Sequence, residues 1–193
     1  GDIKKPFDQL GVSFHVYPKK WLVDEAKIGS LFLLHLVNEA IPVFDPNDVL
    51  TMLRETFVYK KSYREIYEIG ARVVAAAISV NEIDFSPILR RRYFWGLRTA
   101  LMAEAAERRC PTFSAKALET SSSIPGLALH IQTRGNASIS ECQRFGLQLI
   151  EMAGLSEVIT NVNRKNENLQ FLFEMGGVGT AIAGEVMYGC SVS

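Results

Sequence analysis

The side chains most able to do chemistry lie in one run. Residues 90 to 98 read RRRYFWGLR, four arginines and three aromatics in nine positions. Guanidinium groups neutralise phosphates and aromatic faces stack on unpaired bases, and surfaces that bind single-stranded nucleic acid combine the two contacts. The same residues fit a second description, in which the arginines pair with acidic helices of the same chain and the aromatics fill a core. On a helix advancing about 100° per residue, Arg91 and Arg98, seven apart, project in nearly the same direction, and Arg109 falls close to that line. Leu89, Tyr93, Leu97 and Ala100 form a separate stripe, while Phe94, Trp95, Leu101 and Met102 fall beside the arginines. A helix apolar on more than one side is expected to be largely surrounded by protein.

Charge is concentrated in this segment. Between Ser86 and Cys110 stand six arginines against two glutamates, a local charge of +4, in a chain whose 21 basic and 21 acidic residues cancel. Overall neutrality counts against a dedicated nucleic-acid binder, which is usually basic, but charge segregated onto one face answers that objection. Arg90, Arg91, Arg92 and Arg98 are the candidate phosphate contacts. Lys60, Lys61 and Arg64, at an expected helix junction, extend the track, as does the pair Arg164–Lys165. Tyr93 and Trp95 are the candidate stacking rings.

Other chemistry is poorly represented. The three histidines, His15, His35 and His130, are far apart in sequence and read as residues satisfied by hydrogen bonds. No HExxH, GxSxG or GxxxxGK[ST] is present. The run GGVGTAIAG at 176–184 follows a helical pattern, LQFLFEM, where a phosphate-cradling turn needs a strand before it and a helix after it; small residues for close helix packing explain it better. Glu65 with Glu68, and Glu104 with Glu107, sit three apart on one helix face, each pair near cations, and read as solvated ion pairs. No catalytic set, metal site or cofactor is expected, and the chain is read as not an enzyme. Cys110, Cys142 and Cys190 are odd in number and form no CxxC pair, so neither a disulfide framework nor a zinc site is expected, and a reducing, cytoplasmic setting follows.

The elements that must position these residues are helices. Residues 1 to 20, punctuated by Pro6, Gly11 and Pro18, predict an extended arm or one short strand. A helix is expected from Trp21 to Ala40, broken by Pro42. Asp45 is a natural N-cap, with Pro46 at the first helical position, for a helix to about Tyr59. Ser62 and Glu65 form an S-x-x-E capping box opening a helix to about Val80. Ser86–Pro87 opens the arginine helix, which Pro111 stops after Arg109. Residues 110 to 138 are looser, with one helix at 114–120. Ser138 and Glu141 form a second capping box for a helix ending at Gly154, and further helices are expected at 156–165 and 167–175.

Seven to nine helices and little strand define an all-α fold, a compact bundle with two lobes and an extended N-terminal arm. The expected organisation is an arm at 1–20, a lobe at 21–109, a loop-rich connection at 110–138 and a second lobe with tail at 139–193. At 193 residues and 48% hydrophobic composition the chain can bury a sizeable core. The most apolar run, Ile28 to Phe44, carries His35, Asn38, Glu39 and Pro42, so no membrane span and no secretory signal is expected. Phe7, Phe14, Val16 and Tyr17 in the arm want burial, and a terminal arm can bury them on a neighbouring copy, closing a ring or propagating a filament.

A helical bilobed body, a basic-aromatic helix near its middle and apolar arms resemble, in outline, the nucleocapsid or coat proteins of RNA viruses. The resemblance implies a viral structural protein that packages single-stranded RNA without sequence specificity and forms homo-oligomers through its arms. A helical protein-interaction or matrix-like assembly module without nucleic acid is the competing reading.

Overall fold

A computed structural model describes residues 15–80, 82–83 and 85–155; the candidate residues Phe7 and Phe14 and everything expected beyond residue 155 lie outside them. Among the described residues the protein is all-helical, with eight helices and no strand. The chain divides into two compact units at Lys60–Lys61. The division expected at 110–138 is corrected. That span holds two helices of its own, and the helix after it packs back onto helices that precede it.

Unit 1 contains α1 (Lys19–Lys27), α2 (Leu31–Glu39) and α3 (Val49–Thr56). The single helix expected from Trp21 to Ala40 is two helices. Gly29 adopts φ +64, and a Cβ there would collide with the backbone of Val58 and Lys60, so a glycine both ends α1 and admits the strand of chain that crosses it. Ser30 then caps α2, its hydroxyl accepting from the Leu33 amide at 3.2 Å. Asp45 caps α3 as expected, both carboxylate oxygens accepting from the Val49 and Leu50 amides at 2.8 and 2.9 Å. The helix starts later than Pro46, because Asp48 at φ 47 turns the chain first. The core of unit 1 is small, with Ala26, Leu33 and Leu53 buried together under half-buried Leu22, Val37 and Met52.

Unit 2 contains α4 (Arg64–Ile78), α5 (Pro87–Glu107), α6 (Ala115–Ser122), α7 (Leu127–Gln132) and α8 (Ile139–Met152). Helices α4 and α5 form its spine, crossing where Gly70 meets Gly96. A Cβ on Gly70 would lie 2.7 Å from the Gly96 carbonyl oxygen and the Ala100 amide nitrogen. Only paired glycines let two helix backbones approach this closely. Helix α8 lies on α4 through Gly146, which faces Val74 and Ile78. The hydroxyl of Ser86 accepts from the Leu89 amide at 3.2 Å and Pro87 opens α5, as the sequence predicts. The Ser138–Glu141 capping box is complete in both directions, and Gly154 ends α8 at φ +67.

The other capping box does not form. Glu107, from the far end of α5, accepts the Tyr63 amide and the Ser62 hydroxyl. It does for the start of α4 what Glu65 was expected to do, and it ties the two spine helices end to end.

Candidate nucleic-acid interface

Ten of the 21 residues of α5 are buried, which leaves the helix one wet stripe: Arg91 and Trp95 exposed, with Ile88, Arg98, Thr99 and Met102 half-buried alongside. Arg91 and Trp95 are one turn apart, so a cation and an indole face share one patch of surface. Trp95 is 36% exposed. Among the described residues Arg91 makes no hydrogen bond or ion pair.

The neighbouring arginines are held in place. Arg90 donates to the Gly135 carbonyl at 2.6 Å and lies 5.7 Å from the centre of the Phe85 ring. Arg98 donates to the Phe113 carbonyl at 3.1 Å, anchoring the segment that follows α5. Arg92 is half-buried. Main-chain carbonyls accept from both, so Arg90 and Arg98 staple α5 to the segments around Gly135 and Phe113.

Two other candidates are committed elsewhere. Tyr93 is fully buried, which corrects its expected stacking role: its hydroxyl shares a 3.0 Å hydrogen bond with Nε2 of His130. Arg64 pairs with Glu68 at 2.8 Å and donates to the Ala153 carbonyl at 3.0 Å, so its guanidinium is committed within unit 2. Lys60 is the half-buried last residue of unit 1, and Lys61, exposed, begins unit 2. Of the nine candidates, the wet stripe of α5 gathers Arg91, Trp95 and the edge of Arg98.

The structure adds two cations that sequence clustering did not single out. Arg90 reaches across to the turn carrying exposed Arg134, and Arg144 on α8 lies with its guanidinium 4.4 Å over Phe145. Both are isolated in sequence, and the Arg90–Gly135 bond brings the turn carrying Arg134 to the start of α5. Phe145 in turn stacks on His130 at 4.2 Å, and His130 packs against Phe94 at 4.8 Å. A column of guanidinium, phenyl and imidazole thus runs from the surface into the core. Burial pushes the His130 imidazole down to about 4, so it is neutral near pH 7. Burial also pushes the Tyr93 hydroxyl up, so both partners of this hydrogen bond are neutral near pH 7. The Cys142 thiol beside them is pushed up to about 12 by burial and is unreactive.

In unit 1, Tyr17 stacks on Trp21 at 5.1 Å and meets Phe32 at 5.0 Å, so it uses part of its ring within its own unit, whereas Val16 is exposed. No helix of the described residues is long and apolar enough to cross a membrane. Among the described residues no three of His, Cys, Asp and Glu converge as metal ligands would. Comparison with protein-family models, with curated proteins and with solved structures finds no match.

Proposed function

We propose that the protein is a nucleocapsid- or coat-like structural protein that binds single-stranded RNA without sequence preference through the wet stripe of α5, and that copies associate. The observation that carries this reading is the pairing of Arg91 with Trp95 on one exposed turn, on a helix whose fixed arginines Arg90 and Arg98 satisfy main-chain carbonyls. Phosphates would meet Arg91, and a base would stack on the Trp95 indole. Exposed Arg134, on the turn that Arg90 reaches, would add positive charge near the start of α5. Exposed Cys110 and buried Cys142 are free thiols, in keeping with a reducing compartment.

The test is a salt titration of binding to a fluorescent single-stranded RNA. Each phosphate contact contributes roughly 0.7 to the logarithmic salt slope, so Arg91→Glu lowers both affinity and slope. Trp95→Ala weakens binding by about 1–3 kcal/mol while leaving the slope unchanged, because stacking releases no counterion. Arg98→Glu is the wrong variant here, since losing the Phe113 contact unsettles the fold. No binding by the unaltered chain at low salt overturns the reading and leaves the helical interaction module, which the apolar surface of unit 1 favours.

A further inference from the structure

Of the histidines in the described residues, His130 near the end of α7 is the buried one, at 4% exposure. Its imidazole packs against two phenyl rings, stacked on Phe145 of α8 at 4.2 Å and tilted against Phe94 of α5 at 4.8 Å. Among the described residues its hydrogen-bond partner is the Tyr93 hydroxyl, at 3.0 Å, and not a carboxylate.

The groups facing this imidazole give a proton little reward. Glu141 of α8 attracts it, but that carboxylate is committed to the Ser138 amide and hydroxyl, both at 2.9 Å. Arg144 of α8 repels it, and its guanidinium already lies 4.4 Å over the Phe145 ring. Arg90 of α5 donates to Gly135, next to exposed Arg134, so both cations stand at the same end of α7. Tyr93 and Cys142 are kept neutral by burial and supply no anion. On the α6 side, Glu119 is committed to Lys116 and the Ala128 amide. An imidazolium here loses its water without gaining an ion pair, and contact with a phenyl face does not outweigh that loss.

The segment carrying His130 is held at few points. Helix α7 has six residues and no side-chain cap. Its start is tied to α6, where the Ala128 amide donates to Glu119 at 2.9 Å. Its far end is tied by the imidazole, by buried Ile131 and by the Arg90–Gly135 bond at 2.6 Å. Beyond it, the Ser138–Glu141 box fixes the start of α8 without using α7. His130 to Gly135 thus lie between two independent anchors, the arrangement that permits local opening.

We propose that the segment from His130 to Gly135 is an acid-operated latch: a proton taken up by the imidazole releases it from α5 and α8 while α4, α5 and α8 stay packed. Release undoes the Arg90–Gly135 bond and so reaches the start of α5. The latch stands whether or not α5 binds RNA.

The direction follows from linkage. Released, the imidazole titrates near 6.5; in place, burial holds it down to about 4. The proton therefore favours the released form as pH falls through that window, and from about pH 7 to about pH 5 the released population grows about twentyfold. Glu141, held by Ser138, and Glu119, held by Lys116, both lie below the ordinary carboxylate range and stay ionised at that pH. His15 and His35 belong to unit 1.

Hydrogen exchange of the full chain, read as protection factors at the two pH values with and without low urea, tests the latch. The His130 and Thr133 amides, bonded to the Gly126 and Leu129 carbonyls at 3.1 and 2.9 Å, report it. The Ala75 and Ala76 amides of α4 report global opening. The latch amides should be the less protected at both pH values and insensitive to low urea, because a local opening exposes little surface. Their protection should fall about twentyfold on acidification, and that fall should vanish in His130→Phe, which keeps the ring packing, and in His130→Gln, which keeps a partner for Tyr93. Latch amides as protected and as urea-sensitive as those of α4 would show that the segment leaves only on global unfolding, which overturns the proposal. A fall that persists in both variants overturns it as well, since the proton then acts elsewhere.

Discussion

At the scale of single residues, the arginines of α5 divide by what their donors touch. Sequence spacing placed Arg91 and Arg98 on one line, and the line exists, but spacing could not reveal that Arg98 and Arg90 reach carbonyls 15 and 45 positions away. Tyr93 illustrates the same limit: the aromatic beside the arginines is the one that faces His130 in the core. That pair gives a prediction in pH. In the unfolded chain a histidine titrates near 6.5, whereas in the folded protein burial holds His130 down to about 4. Between those values the unfolded chain binds the additional proton, so stability falls as pH drops through the window and the loss levels off below about 4. At 1.36 kcal/mol per unit the loss is at most about 3 kcal/mol. Urea midpoints measured from about pH 7 to pH 4 should show it. His130→Phe should flatten this part of the profile while costing about 1–3 kcal/mol near pH 7, because the Tyr93 hydroxyl is left buried without its hydrogen-bond partner. An unchanged profile in that variant would assign the acid sensitivity to carboxylates instead.

At the scale of elements, unit 2 depends on the closeness of α4 and α5. With Gly70 and Gly96 in backbone contact, Gly70→Ala inserts a methyl group within 2.7 Å of main-chain atoms that cannot rotate away. The helices must separate, and an overpacked crossing of this kind costs about 1–3 kcal/mol or more, despite the gain of roughly 1 kcal/mol that alanine brings to an exposed helix position. Gly135→Ala is the control, since nothing lies within 4 Å of its added Cβ. Denaturant midpoints should fall for Gly70→Ala and stay nearly fixed for the control. Neither glycine announced this role in the sequence, where each is one small residue within a helical pattern. What was legible was local: Ser86–Pro87, Ser114 and the Ser138–Glu141 box each start a helix where the residue chemistry says they should. What was not legible depended on distant partners. Glu107 displaces Glu65 as the acceptor at the start of α4, and the Gly29–Ser30 break makes sense only once the chain at Val58–Lys60 passes over Gly29. Helix α7, with no side-chain cap and a left-handed Gly126 before it, had no capping signal to read.

At the scale of the whole molecule, the two units differ in how much they can bury. In unit 1 the buried apolar side chains of the described residues are Ala26, Leu33, Leu34, Leu50 and Leu53, whereas unit 2 buries Tyr63, Tyr93, Leu89, Leu97, Leu101, Leu118, Leu127, Leu149, Ile150 and many alanines. Stability grows with the surface removed from water, so unit 1 is the weaker body. The chain carries its own reporters, since its two tryptophans fall one in each unit, Trp21 and Trp95. Trp95→Phe leaves emission from unit 1 alone, and Trp21→Phe leaves emission from unit 2 alone. In urea, Trp21 should report a transition at lower denaturant, and with a shallower slope, than Trp95, because less surface is exposed when unit 1 opens. Coincident transitions would mean that the units fold as one cooperative body.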